Sequence, residues 1–345
     1  MARCGITRID EIFEGSPVAR PIGFHDPDRA AVGAVQSLLI GHGYSRLPDA
    51  RLPAHGNFAD QTQQAVSDFQ LKASLPATGA VDRGTLQALV TRPCADPVAS
   101  DAYIALTLDV AVTKLCHILT FTGLFETGGR FAKLNLNTDR AGLSFGLIQW
   151  AQRPGRLNEI LSAFASQQAA LFNAIFGGPA EAAGLLAHTA KLGGGLDPVT
   201  RETTDPRFDL VKEPWISRFK QAGLHPDMQR VQLRTALAAF QSAFSRLQGL
   251  MEGSVSERMA AFLLDLANQH GEGGAVSIFH AVFSAGMSQA DLLLRLERES
   301  VSRVSQQFGS GSNEEKATAD RRQFFRTTNL LSDDRFQDAG LAVPA

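Results

Sequence analysis

The chain has 345 residues and a formal net charge of −2, so no broad electrostatic attraction to nucleic acid is expected. At 44% hydrophobic it can fill ordinary cores, and its length suits two domains. Cys4, Cys94 and Cys116 are scattered, odd in number and without metal-ligand spacing, so neither a disulfide framework nor a metal or other cofactor is expected. Arg3 and Arg8 are not followed by an apolar core of signal-peptide length, and no run of about eighteen apolar residues occurs. Synthesis in the cytoplasm without a signal peptide and without membrane insertion is therefore expected. A substrate outside the cell would require delivery by other means.

Residues 1–25, with Pro17, Pro21 and Gly23, read as an irregular arm. Residues 26–91 read as three short helices. Val32, Val35, Leu38 and Leu39 line the first, which starts near Asp28 and is ended by Gly41 and Gly43. Thr62, Ala65, Val66, Phe69 and Leu71 mark a second, with Asp60 as its expected N-cap, and Thr85, Leu86 and Leu89 a third. The set Val35-Gln36-x-x-Leu39, Gly43-Tyr44, Gly56-Asn57-Phe58, Thr62-x-x-Ala65-Val66-x-x-Phe69-Gln70 and Thr78-Gly79-x-Val81-Asp82-x-x-Thr85-x-x-x-Leu89 resembles the peptidoglycan-binding domain family, type 1. That resemblance implies peptidoglycan as partner. The Gly56, Asn57 and Phe58 loop is the first candidate for wall contact, because loops between helices carry recognition. Residues 92–101 read as a linker.

Residues 102–345 read as a second, mostly helical domain organised around Leu124–Leu157. Leu108, Val112, Leu115, Ile118, Leu119 and Thr122 recur at helical spacing, which puts Glu126 in the last turn of an amphipathic helix. A carboxylate there opposes the helix dipole, so stability is not its reason. Gly128 and Gly129 stop the helix, Phe131 to Leu136 alternates like a strand, and Asn137-Thr138-Asp139 is turn chemistry. Gly142 to Ile148 reads as the returning strand. Glu126 and Asp139 would then face each other across a cleft, the minimum kit for glycoside hydrolysis.

The stretch resembles the lysozyme superfamily, in which a helix-terminal Glu precedes a β-hairpin lobe. It is most similar to the chitosanase branch, whose Asp-x-x-Gly-aromatic-Thr-x-Gly-Ile-Ile run aligns with Asp139-Arg-Ala-Gly142-Leu-Ser144-Phe-Gly146-Leu-Ile148. The resemblance implies a fold that is mostly α, with a small β-hairpin lobe. It also implies Glu126 as acid, Asp139 as base and Ser144 helping to hold the attacking water. It continues through Trp215-x-x-x-Phe219, Pro226-x-Met228-x-x-Val231-Gln232, Asp265-x-x-x-Gln269-His270-Gly271 and Arg321-Arg322-x-Phe324-Phe325. His270 reads as a hydrogen-bonded, helix-end imidazole bracing the cleft. Gln149 could offer amide hydrogen bonds to N-acetyl groups, and Trp150 reads equally as core or as a sugar platform.

Two departures point away from chitosan. Arg156 stands where that pattern has a carboxylate, and Arg140 is displaced by one from the pattern's arginine. Arginine opposes a polycationic polymer but pairs with the carboxylates of peptidoglycan. The expected activity is a muramidase. A chitosanase with an accessory module, a lytic transglycosylase needing only Glu126, and a non-catalytic wall-binding protein are the alternatives. A wall hydrolase without a signal peptide suggests a phage endolysin released through a holin, or an effector injected by a contact-dependent secretion machine. The effector would need an inhibitor protein in its producer.

Overall fold

The structure, a computed structural model, describes residues 3–138, 140–249 and 255–336. These are mostly helical, with a few short strands. The chain divides into two compact units, Met1–Val112 with Glu126–Thr235 and Thr113–Phe125 with Ala236–Ala345.

The first unit begins with α1 (Thr7–Glu14), where an irregular arm was expected. Ile9 and Ile12 are buried on one face, the Asp10 carboxylate accepts the Cys4 N–H at 2.9 Å, and Gly15 at φ 80° ends the helix. Only two apolar residues mark that face, too few to reveal it by periodicity. Three helices follow, α2 (Arg29–Gly41), α3 (Asp60–Lys72) and α4 (Arg83–Thr91). Asp28 caps α2 by accepting from Ala31 N–H at 3.0 Å, and Asp82 caps α4 by accepting from Thr85 N–H at 2.8 Å. Asp60 is no cap: it lies inside α3, whose N-cap is Ala59.

The loops between these helices hang on two buried glutamines. On α2, Gln36 accepts the Gly56 N–H at 2.8 Å and donates to the Asn57 carbonyl and Thr62 Oγ1, each at 3.0 Å. On α3, Gln70 accepts the Gly79 N–H at 2.9 Å and donates to the Ala80 carbonyl at 2.8 Å and Thr85 Oγ1 at 2.9 Å. The module uses one device twice, satisfying buried backbone groups that no helix or strand would serve. Gly56 is part of it: at φ 78° an added Cβ would sit 2.6 Å from the Arg29 carbonyl oxygen, which is backbone and cannot yield cheaply. Gly56→Ala is therefore expected to cost about 2 kcal/mol, the scale of left-handed strain plus overpacking. Gln36→Leu, which leaves the buried Gly56 N–H without its acceptor and removes the donors to the Asn57 carbonyl and Thr62, should cost a similar amount. Denaturant midpoints of the two variants check this.

The segment read as a linker is an ordered strap. Asp96 donates its N–H to the Gly41 carbonyl at 3.1 Å and its carboxylate pairs with Arg130 at 3.1 Å. Val98 forms a bridge with Arg130, and Ala99 donates to the Gly129 carbonyl at 2.8 Å. Helix α5 (Asp101–Leu106) then packs on α2, and its Tyr103 hydroxyl donates to the buried Gln229 at 2.8 Å. The helical spacing read from Leu108 onward is interrupted: Asp109 adopts φ 54°, and α6 starts at Lys114 and runs to Thr127.

Strands β1 (Leu134–Leu136), β2 (Leu143–Phe145) and β3 (Trp150–Ala151) form an antiparallel meander in that order, one strand more than expected. Helices α7 (Arg156–Gln167), α8 (Ala169–Ile175), α9 (Pro179–Thr189) and α10 (Trp215–Leu224) complete the unit, together with the start of α11 (Pro226–Gln248). Ring contacts of 4.9 to 5.9 Å run from Phe145 through Phe219, Phe176 and Phe172 to Phe164, tying β2 to α10, α8 and α7.

The second unit contains β4 (Val255–Ser256), α12 (Glu257–Val282), α13 (Gln289–Phe308), α14 (Asn313–Thr327) and β5 (Arg335–Phe336), which pairs with β4. α12 is broken at Gly271, with φ 71°, and a second helical stretch runs on to Val282. Among the described residues, no single helix is long and apolar enough to cross a membrane.

Candidate functional site

Gly128 and Gly129, at φ 67° and 76°, end α6 and leave half-buried Glu126 in its last turn. The helix end is fixed to the sheet region by Thr127, whose hydroxyl donates to the Leu147 carbonyl at 3.1 Å and accepts from Arg130 N–H at 3.1 Å. Buried Gln232 fastens both sides of the hairpin. Its amide donates to the Phe131 carbonyl at 3.0 Å, and its oxygen accepts the Leu147 N–H at 2.9 Å. Gly146 is required beside it, because a Cβ there would lie 2.5 Å from that oxygen.

The turn between β1 and β2 is built from asparagines. Asn135 accepts from Thr138 N–H at 3.1 Å, and Asn137, at φ 65°, accepts from Gly142 N–H at 2.9 Å. Asp139, the expected base, lies outside the described residues. Ser144 lies mid-sheet, opposite Asn135 on β1 and Ala151 on β3, and is 2% exposed. By strand alternation its side chain leaves the face opposite to Leu143 and Phe145.

The remaining candidates divide. Arg140 is exposed at φ 60° on the turn. Gln149, at φ 56°, donates to the Gly146 carbonyl at 3.0 Å. Trp150 is 1% exposed, so it is core and no sugar platform: it pairs with Phe145 in the sheet and its ring has no free face. Arg156 is the first residue of α7, where a cation opposes the helix dipole, and so it is not there to stabilise that helix. In the peptidoglycan-binding-like module, Phe58 is fully buried and Gly56 is buried too. Of that expected wall-contact trio only Asn57 is exposed.

A cavity of about 840 Å³ opens beside the hairpin turn, between Asn137, Arg140 and Gln152 and the loops carrying Arg201, Arg207 and Lys212. Arg207 is paired with Asp205 at 2.7 Å and Lys212 with Asp209 at 2.9 Å, whereas Arg140 and Arg201 have no ion pair among the described residues. Glu126, Ser144, Gln149 and Arg156 are not part of its lining. His188 buttresses the far loop: it is 2% exposed, stacks on Phe208 at 5.2 Å, and burial holds its imidazole below the ordinary value.

In the second unit, two sequence-distant motifs meet. Asp265 on α12 is fully buried and accepts from Arg321 at 2.7 and 2.6 Å and from Arg322, both on α14. Arg322 also donates to Gln269, whose amide reaches Thr318 at 3.2 Å. Arg321 and Phe324 and Phe325 of α14 lie against the Phe125 ring. His270 closes the first helical stretch of α12, immediately before the break at Gly271. Its buried Nε2 has no hydrogen-bond partner among the described residues, where a hydrogen-bonded imidazole was expected. Burial and then Arg322, Arg303 and Arg321 push its pKa down to about 4, so it is a neutral imidazole at physiological pH. Among the described residues no group of His, Cys, Asp and Glu has the arrangement to hold a metal ion, and none of the three cysteines forms a disulfide.

No curated protein matches the chain. Residues 28–89 match the family model of the putative peptidoglycan binding domain, which covers α2, α3 and most of α4 together with both glutamine-held loops. The match supports a peptidoglycan-binding domain in this stretch and an association of the protein with cell wall.

Proposed function

We propose that the protein hydrolyses the glycan strand of bacterial peptidoglycan as a muramidase, held to its polymer by the module around residues 28–89. The observation that carries this reading is Glu126, a carboxylate set against the helix dipole and tied through Thr127 to Leu147, between the strand that bears Ser144 and the next, in the same compact unit as the wall-binding module. In the proposed reaction Glu126 protonates the glycosidic oxygen. Asp139, assisted by Ser144, orients a water on the opposite face of the sugar and removes its proton, inverting the anomeric centre. Arg140 and Arg156 pair with carboxylates of the wall, and Gln149 offers its amide to N-acetyl groups. The protein acts in the periplasm or outside the cell after delivery by a holin or a secretion machine, and an injected form requires an inhibitor protein in its producer.

The test is digestion of purified peptidoglycan, with products read by mass spectrometry and the first anomer by NMR. Reducing N-acetylmuramic ends with inverted configuration are expected, and Asp139→Asn should cost nearly as much turnover as losing the acid. Anhydro-muramyl ends from an active Asp139→Asn variant would mean a transglycosylase instead. Cleavage confined to deacetylated chitosan would mean a chitosanase, and binding without turnover a dead cleft.

A further inference from the structure

We propose that the peptidoglycan-binding module grips a free carboxylate of the wall's stem peptide in a recess of about 220 Å³ lined by His42, Tyr44, Phe69, Lys72, Arg92 and Pro93. The proposal rests on the reading that this module binds peptidoglycan, and names the surface and the chemical group.

The recess lies where three helices of the module end. His42 is the C-cap of α2, Lys72 the last residue of α3 and Arg92 the C-cap of α4. Cations at helix C-termini have an ordinary explanation, and Arg92 partly fits it: its guanidinium donates to the carbonyls of Lys72 at 3.3 Å and Ala73 at 2.9 Å. Lys72 does not fit it as well. Its ammonium lies 5.0 Å from the centre of the Tyr44 ring, and it has no carboxylate partner among the described residues. No Asp or Glu lines the recess, so its charge is uncompensated.

One further observation points to a ligand. The Tyr44 hydroxyl is buried and has no hydrogen-bond partner, a cost that an incoming acceptor would relieve. His42 cannot supply a counter-charge or a competing cation. Its Nε2 lies 2.8 Å from the Leu89 carbonyl, and burial, with Arg92 beside it, holds the imidazole below its ordinary value. The recess thus offers an apolar floor from Phe69, Tyr44 and Pro93, two cationic groups and an unsatisfied hydroxyl. A neutral N-acetyl sugar would use the floor and leave the charges unanswered. A carboxylate with a small aliphatic body uses all of it. In cross-linkable wall the lactyl carboxyl is consumed in an amide, so free carboxylates are those of the stem peptide.

The experiment uses the full-length protein. Co-sedimentation with purified sacculi first tests wall binding itself. Calorimetric titration then compares a soluble disaccharide-tetrapeptide, the same compound with its peptide carboxylates amidated, and the bare disaccharide. The wild type should prefer the free acid. Lys72→Met should weaken that ligand up to about fivefold, the range of a partly exposed ion pair, and leave the bare disaccharide unchanged. Amidation should reproduce the loss in the wild type and add nothing in Lys72→Met. Tyr44→Phe, which keeps the ring, should weaken the free acid about threefold, as expected for one lost hydrogen bond. Thermal melts confirm that both variants fold. Sedimentation with sacculi but indifference to amidation and to both substitutions would overturn the recess and leave wall binding standing. Failure of the wild type to sediment with sacculi would overturn both.

Discussion

Glu126→Gln is expected to remove wall cleavage while leaving the folded protein and its retention on sacculi unchanged. General acid catalysis is worth about 10²- to 10⁴-fold, and the amide keeps the shape of the acid while losing its transferable proton. The structure sharpens the expectation. Glu126 sits in the last turn of α6, where a carboxylate faces the negative end of the helix dipole. As far as the dipole is concerned its neutralisation costs nothing, so the melting temperature should stay near that of the wild type. Turnover and stability therefore move independently. A variant that lost activity together with several degrees of melting temperature would make Glu126 a structural residue. A variant that kept wild-type release of reducing ends would remove it from the mechanism.

Asp265→Asn should cost about 3–5 kcal/mol of folding stability, the scale for breaking a buried ion pair and stranding its partners. Asp265 is fully buried between Arg321 and Arg322, so its loss removes the carboxylate that both guanidiniums share. Burial alone would raise the carboxyl's pKa. The two guanidiniums, through charge and hydrogen bonds together, outweigh that and hold it below the ordinary aspartate value. The sign follows from that direction. A depressed carboxylate contributes its full stability above the unfolded aspartate value and loses it as pH falls through the folded one. The wild type should thus melt earlier as acid is added below the normal carboxylate range, and Asp265→Asn should lack that dependence. Denaturant titrations at neutral and acid pH measure both effects. Replacing Asp265, Arg321 and Arg322 together by apolar residues of similar volume should recover much of the loss, which a role in simple space-filling by Asp265 alone would not predict.

The peptidoglycan-binding-like module was legible because each residue of its pattern has a local purpose: Asp82 caps a helix, Gly56 takes a left-handed turn and Leu89 fills the core. What stayed hidden depends on distant partners. Asp265 and Arg321 are 56 residues apart, and nothing near either announces the other. Gln36, Gln70 and Gln232 stood in quoted motifs, yet their amides answer backbone groups in remote loops, which periodicity does not report. A polar side chain on the buried face of a helix is the signal that could have found them. α6 misled in another way: residues Leu115 to Leu124 are buried nearly all round except His117, so its apolar run was wider than one face and the break at Asp109 went unseen. For the proposed site, the helix-terminal Glu126 and the sheet with Ser144 were readable, and Trp150, left open between core and sugar platform by its sequence context, is settled as core by its burial.

The strap at Asp96 to Ala99 changes what tethering can mean for this protein. A flexible tether lets a reacting group sample a cloud of positions, and its benefit decays gently as the target moves away. Here the strap is hydrogen-bonded at one end to Gly41, the last residue of α2, and at the other to Gly129 and Arg130, three and four residues beyond Glu126. The wall-binding module and Glu126, the acid of the proposed function, therefore keep one offset, like the two jaws of a gauge set to a single gap. Local enrichment becomes all or nothing: high for a bond at that offset from the anchored stem, and absent for a bond at any other. On the proposed function, the mesh of the wall, rather than the density of its binding sites, decides which strands are cut.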